Sequence, residues 1–277
     1  MVRPSTGLSN SSSRSAIADK DEAGADHGYD RLAAVIPALN EEGSVGAVVS
    51  ALRALGVGLI LVADNGSTDQ TAETARAAGA QVVNAVRRGY GSACLAALAA
   101  VPHDTRVVVF CDADGADDLS LLRRVVEPVL RKEADLVIGS RALGRSESGA
   151  LTLPQRAGNW VASQLLGALF SETVTDLGPF RAISTDALER IGMSDPAFGW
   201  TAEMQTKALR LGLRVLEVPV NARARTAGAS KISGRAIPVL RAGWAILTTI
   251  LWYRVAPLPQ QRVARRSSGE ETQTCSR

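Results

Sequence analysis

From Leu32 onward, short apolar runs alternate with longer stretches of helical periodicity, and three of the runs end abruptly in polar loops. The runs Ala33 to Ile36, Leu59 to Ala63, Gln81 to Val83, Val107 to Cys111 and Leu136 to Gly139 read as strands. Between them, Ser44 to Leu55, Thr68 to Ala78, Ser92 to Ala99 and Leu119 to Arg131 have the apolar spacing of helices packed on a sheet, with Thr68 and Asp118 as N-caps. This order predicts an α/β, Rossmann-like fold, a mostly parallel central sheet flanked by helices. The polar loops that follow the first, second and fourth strands are Pro37 to Glu42, Asp64 to Asp69 and Asp112 to Gly115. Ligands of open α/β sheets bind at the carboxyl ends of strands, so these loops are expected to share one crevice. After Arg141 the pattern passes through a loop, Gly144 to Gly149, into a further helix from Gln155 to Phe170.

With 46% of 277 residues hydrophobic, the chain can bury one substantial core, and one folded unit is expected over residues 29–235. A net charge of +3 favours anionic ligands without the concentrated basic charge of a nucleic-acid binder, and no nucleic-acid partner is expected. Three cysteines far apart, Cys94, Cys111 and Cys275, make neither a disulfide framework nor a zinc site. Residues 1–28 read as a disordered tail with no apolar block resembling a signal sequence, and residues 257–277 as a disordered basic tail. Residues 236–256 are expected to form an apolar or amphipathic helix. Within it, Ala242 to Tyr253 is uncharged but too short for a hydrocarbon core that needs about 20 helical residues. Its tryptophans and the flanking Arg241 and Arg254 suit either a membrane-surface contact or a helix packed on the domain.

The pair Asp112 and Asp114, placed directly after the apolar run VVVFC, carries the clearest chemistry. Two carboxylates this close repel unless something compensates, and a divalent cation shared with diphosphate oxygens does so. Mg²⁺ and Mn²⁺ fit such oxygen donors equally well. The plainer alternative makes Asp112 a turn cap and Asp114 a solvated acid. Glu203 reads either as a general base or as a first-turn acid suited to a helix N-terminus, and Arg181 either as a phosphate ligand or as the partner of a buried carboxylate such as Asp176. Gly66 and Gly115 serve either turns or a ligand, and His27 and His103 are assigned no catalytic role.

The blocks VIPALNEEGSV, VADNGSTDQTAE, the Asp112/Asp114 pair and VIGSR (Val137 to Arg141) resemble, in order and spacing, the family 2 glycosyltransferases of the type A nucleotide-diphospho-sugar transferase fold. The resemblance runs from about Leu32 to Tyr253. It is strongest to polyprenyl-phosphate (dolichol-phosphate) mannosyl- and glucosyltransferases, through DLGPFR (Asp176 to Arg181) and GASKI (Gly228 to Ile232). It implies that residues 29–235 are a glycosyltransferase catalytic domain. It also implies that Pro37, Asn40, Glu41 and Asp64 line the nucleoside pocket, that Asp69 braces that loop, and that the backbone at Arg88 and Gly89 approaches the nucleotide. Asp112 and Asp114 take the metal-binding positions. Arg141, Arg181, Arg225, Ser230 and Lys231 take positions that handle donor or acceptor phosphate. Two departures stand out: Ala116 occupies the place of a further metal-ligating Gln, with Asp117 next to it, and Pro179 replaces the Gly before Phe-Arg.

The implied activity is inverting, metal-dependent transfer of a hexose from a nucleotide-diphosphate sugar to a polyprenyl-phosphate-like acceptor. The expected location is cytoplasmic, with the inner face of the membrane as the site of any lipid contact. A hydroxyl acceptor would instead require a carboxylate base such as Asp176 or Glu203. The competing readings are a soluble transferase of that kind and a non-catalytic nucleotide-sugar-binding scaffold. A nicotinamide-dependent oxidoreductase is disfavoured because PALNEEG, not G-x-G-x-x-G, follows the first strand.

Overall fold

The computed structural model describes residues 29–225 and 236–257. The apolar runs form β1 (Leu32–Ala38), β2 (Leu59–Asp64), β3 (Gln81–Asn84), β4 (Val107–Phe110) and β5 (Leu136–Ser140), each within a few residues of its expected bounds. Two further strands, β6 (Arg181–Ser184) and β7 (Val215–Pro219), complete one seven-stranded sheet in the order β3-β2-β1-β4-β6-β5-β7. All pairings are parallel except those of β6, which runs antiparallel between β4 and β5.

Alternation along the strands sends side chains to two cores. Leu32, Ala34, Ile36, Val107 and Val109 meet α1 (Val45–Ala54), α2 (Thr71–Ala77) and, beyond a 3-10 turn at Leu119–Leu121, α4 (Leu122–Leu130). Val35, Leu61, Val108 and Phe110 face the other way, onto α3 (Tyr90–Leu98), α6 (Thr185–Ile191) and α7 (Trp200–Arg210). Cys94 and Cys111 are buried free thiols. A third, smaller core joins α5 (Leu153–Phe170) and α7 to α8 (Ala236–Val255).

Local chemistry explains where helix starts depart from expectation. α2 begins at Thr71, not Thr68, because Asp69 Oδ1 accepts the Thr71 N–H and holds the preceding residues in a turn. α5 begins earlier than Gln155, since Thr152 and Gln155 form a reciprocal capping box with Pro154 inside the first turn. Asp118 stands at the N-cap position of the 3-10 turn but its side chain caps no backbone N–H there; its Oδ1 accepts from the Ser120 hydroxyl instead.

β1 pairs with β2 on one side and β4 on the other, so the sheet changes direction of winding between β1 and β4. This switch point is where open α/β sheets bind ligands. Because β6 is antiparallel, its first residue, Arg181, lies in register with Phe110 and Ile138 at the same edge as the ends of β4 and β5.

Candidate active site

The loops after β1 and β2 are laced together by their own side chains. Thr68 N–H donates to Asn40 Oδ1 (2.8 Å), Asn40 N–H to Ser67 Oγ (2.9 Å), Glu41 N–H to Thr71 Oγ1 (2.7 Å) and Gln70 N–H to Glu42 Oε2 (2.9 Å). Asn40 adopts φ 50°, which its short polar side chain tolerates. Asp64 accepts from Ser67 N–H, and Asp69 accepts from the Thr71 and Glu42 N–H groups. Pro37, in register with Ala63, sits half-buried at the mouth of these loops.

The loop at Arg88 and Gly89 packs closely on a neighbouring segment of the fold. A Cβ on Gly89 would lie 2.1 Å from the Pro196 carbonyl oxygen, and one on Gly91 1.9 Å from that of Asp195. The close backbone approach that these glycines permit is therefore to residues 195–197, whose carbonyls at Pro196 and Ala197 cap the Ser92 and Gly91 N–H groups. Asn65, missed in the sequence, exchanges two hydrogen bonds with the Gly89 backbone. Arg88 itself is exposed.

This anchoring delivers Tyr90, the first residue of α3, to the acid turn: its hydroxyl donates to Asp112 Oδ1 at 3.1 Å. Asp117 Oδ2 accepts the Asp112 N–H (2.9 Å), Asp114 Oδ1 accepts the Ala116 N–H (2.9 Å), and Gly115 makes the turn at φ 74°. Asp114 Oδ2 pairs with Arg225 Nη2 at 3.0 Å, whereas Asp112 and Asp117 have no cationic partner within ion-pair distance among the described residues. Burial pushes Asp112 up to about 8, with the Asp117 and Asp114 carboxylates adding to the effect. Burial likewise raises Asp117 to about 6, against the opposing hydrogen bond from Asp112 N–H. A cluster so short of positive charge suits a divalent cation. Among the described residues no three acidic, histidine or cysteine side chains form a cage that would hold one unaided. Small divalent ions are commonly held by one or two carboxylates together with substrate phosphates, which Asp112 and Asp114 can supply and await.

Arg141, after β5, is clamped by Asp176: its N–H and Nε donate to Oδ2 (2.8 and 2.9 Å) and its Nη2 to Oδ1 (2.8 Å). Asp176 is therefore the partner of Arg141 and not, as one sequence reading had it, of Arg181. Arg181 is wholly buried and donates to the Gly178 and Thr201 carbonyls, tying the DLGPFR turn to the start of α7; burial lowers it to about 10. Glu203, also wholly buried, accepts from the Ser194 and Asp195 N–H groups, the Ser194 hydroxyl and Lys207 Nζ (2.6 Å). The structure thus places Glu203 beneath the 194–199 segment with its oxygens engaged, where sequence had allowed a general base. Ser230 and Lys231 lie outside the described residues, as do residues 1–28 and 258–277.

The winding switch, the acid turn beside it and the antiparallel β6 define a type A nucleotide-diphospho-sugar transferase fold. The sequence profile described as Glycosyl transferase family 2 matches residues 33–192. The chain belongs to that family and is a glycosyltransferase. It is 41% identical, over 74% of its length and 91% of the relative, to an uncharacterised glycosyltransferase of Mycobacterium tuberculosis. It is 30% identical, over 80% of its length and 93% of the relative, to the undecaprenyl-phosphate mannosyltransferase of Micrococcus luteus. Among solved structures it resembles M. tuberculosis glucosyl-3-phosphoglycerate synthase in complex with Mn²⁺, UDP and glucosyl-3-phosphoglycerate (TM-score 0.66, 27% identity, 82% of this chain and 81% of that one).

Proposed function

We propose that the protein transfers a hexose, with inversion, from a nucleotide-diphosphate sugar to a polyprenyl-phosphate-like acceptor. The observation that carries the acceptor class is the state of Asp176 and Glu203, the two carboxylates that the sequence offered as bases. A hydroxyl acceptor needs one within hydrogen-bond reach to take its proton. Asp176 is clamped by Arg141, and Glu203 is buried against Lys207. A phosphate acceptor is already ionised near neutral pH and needs position and charge screening instead.

In this reading the laced loops of Pro37, Asn40, Glu41 and Asp64 seat the nucleoside, with Arg88 beside them. Asp112 and Asp114 would hold Mg²⁺ or Mn²⁺. When bound, the cation neutralises negative charge that gathers on the departing diphosphate. The acceptor phosphate oxygen forms its bond to the anomeric carbon as the bond to the diphosphate breaks, and the electron pair leaves with the nucleotide. Arg141, oriented by Asp176, and Arg225 screen the phosphates; Arg181 holds the DLGPFR turn; the family resemblance adds Ser230 and Lys231 as phosphate-handling residues.

A lipid-borne acceptor also fits the surface of α8. Trp244, Thr248, Leu251, Trp252 and Val255 recur at helical spacing on its exposed face, with Trp244 71% and Trp252 61% exposed. The neighbouring α5 exposes Leu153, Trp160 and Val161. No described helix is long and apolar enough to cross a membrane, so α8 would lie in the interface plane with Arg254 at its end. Replacing Trp252 with Glu is expected to weaken partition onto anionic vesicles by about tenfold, since a large apolar ring is lost to a charge. Unchanged partition in a sedimentation assay would remove lipid contact from the proposal.

The likeness to glucosyl-3-phosphoglycerate synthase favours a second reading, a small phosphorylated acceptor attacked through its hydroxyl. Labelled nucleotide sugars offered with Mg²⁺ or Mn²⁺ to polyprenyl phosphate and to water-soluble acceptors separate the two. Label in the organic phase is the expected result. Label confined to the aqueous product would replace the lipid acceptor by a hydroxyl one.

A further inference from the structure

The segment 221–225 crosses the acid turn as a strap. Asn221 Nδ2 donates to Asp118 Oδ2 (2.9 Å), Arg223 Nη2 to Asp118 Oδ1 (2.6 Å) and Arg223 N–H to the Ala116 carbonyl (2.9 Å). Ala222 N–H bonds the Arg145 carbonyl, and Ala224 N–H bonds Glu147. These contacts anchor the strap on Asp118 and the 145–147 loop. The last described residue of the strap differs in kind. Arg225 reaches past Asp118 to the acid turn itself and pairs with Asp114 Oδ2 at 3.0 Å, while Oδ1 of the same carboxylate accepts the Ala116 N–H. Both oxygens of Asp114 are thereby engaged, one of them by a full positive charge on a side chain that is 35% exposed and able to move.

We propose that Arg225 is an exchangeable counter-ion. It holds Asp114 before loading, yields that carboxylate to the incoming divalent cation, and transfers its charge to the phosphate oxygens that arrive with the cation. The physical reason is that an arginine and a divalent cation on one carboxylate repel each other at short range, whereas phosphate gives the displaced guanidinium a bidentate partner. Arg223, fixed on Asp118, keeps the strap in place during the exchange. The device would make cation entry and anion capture a single coupled event. It rests on the metal role proposed for Asp112 and Asp114.

The test is a titration of the full-length protein with Mn²⁺, followed by loss of the free-ion EPR signal, first without nucleotide and then with UDP. Without nucleotide, Arg225→Gln is expected to bind Mn²⁺ about fivefold more tightly than wild type, the scale of a partly exposed ion pair. With Mn²⁺ present, the same variant is expected to bind UDP more weakly than wild type, because the arginine that would meet the phosphates is gone. Arg223→Gln, which loosens the strap without touching Asp114, is expected to leave Mn²⁺ affinity unchanged. Equal Mn²⁺ affinity in wild type and Arg225→Gln would overturn the exchange while leaving the metal site intact. An equal gain in Arg223→Gln would also overturn it, by tracing the effect to strap loosening. Absence of Mn²⁺ binding by every variant, even with UDP, would remove the metal reading itself.

Discussion

Asp114→Asn is expected to lower sugar transfer by about 10²- to 10⁴-fold, the rate equivalent of several kcal/mol of charge stabilisation at the departing diphosphate. The amide oxygen can still accept the Ala116 N–H, so the turn keeps its shape. Arg225 loses an ion pair, but being partly exposed it rehydrates, and such pairs are worth only about 0–1 kcal/mol. Loss of the Asp114 charge also removes one of the influences that hold Asp112 up, so Asp112 moves back toward the ordinary carboxylate range. The melting temperature without added cation should therefore hardly change. The measurement is transfer rate beside a thermal melt: near-normal turnover would refute the metal role, and a collapsed melt would make the rate uninformative and call for Asp112→Asn.

Glu203→Ala should act in the opposite way, on stability first. It strips the acceptor from the Ser194 and Asp195 N–H groups and leaves the Lys207 ammonium, 3% exposed, without its carboxylate. Breaking a buried pair from one side costs about 3–5 kcal/mol, a large share of the roughly 5–15 kcal/mol that stabilises a folded domain. For a domain of this size that lowers the melting temperature by on the order of 10 °C. The damage should spread, because the same region seats α8. Tyr253 shares a hydrogen bond with Ser194, Lys207 lies 4.4 Å from the Tyr253 ring centroid, and Arg210 caps the Tyr253 and Ala256 carbonyls. Replacing both Glu203 and Lys207 with Met should recover much of the loss, since an apolar pair of similar volume leaves no buried charge. A melt that stays at the wild-type value while transfer disappears would restore Glu203 as a general base.

Four of the five strands read from the sequence, β1, β2, β4 and β5, are apolar on both faces, as strands covered by helices on both sides must be, while the edge strand β3 shows itself only through Val82 and Val83, which pack against opposite cores. The two that were not read lack that signature. β6 is only RAIS and opens with an arginine, while β7, VLEVP, is an edge strand interrupted by Glu217. α7 was hidden for the converse reason. It buries Glu203, Gln205, Thr206 and Lys207, residue types whose pattern along the chain is that of a solvated helix. Missing β6 also concealed the antiparallel turn of the sheet, which brings Arg181 to the active-site edge.

What the sequence determined by itself was the placement of chemistry along the chain: polar residues directly after β1, β2 and β4, and two carboxylates one residue apart after the most buried of these strands. Strand ends and loops follow from local pattern, so Asn40, Asp64, Asp112 and Asp114 could be assigned to the carboxyl ends of strands before any contact was known, and those strands prove adjacent and parallel. The tertiary structure alone decided the partners. Arg141 meets Asp176 across 35 residues of chain, Arg223 meets Asp118 across 105, and Tyr90 meets Asp112 across 22. Such pairings depend on which segments packing brings together, and they set the charge each group carries. They make Arg181 and Glu203 buried braces, where the sequence left a reagent or a structural role open, and they leave Asp112 and Asp117 short of positive charge in the turn after β4.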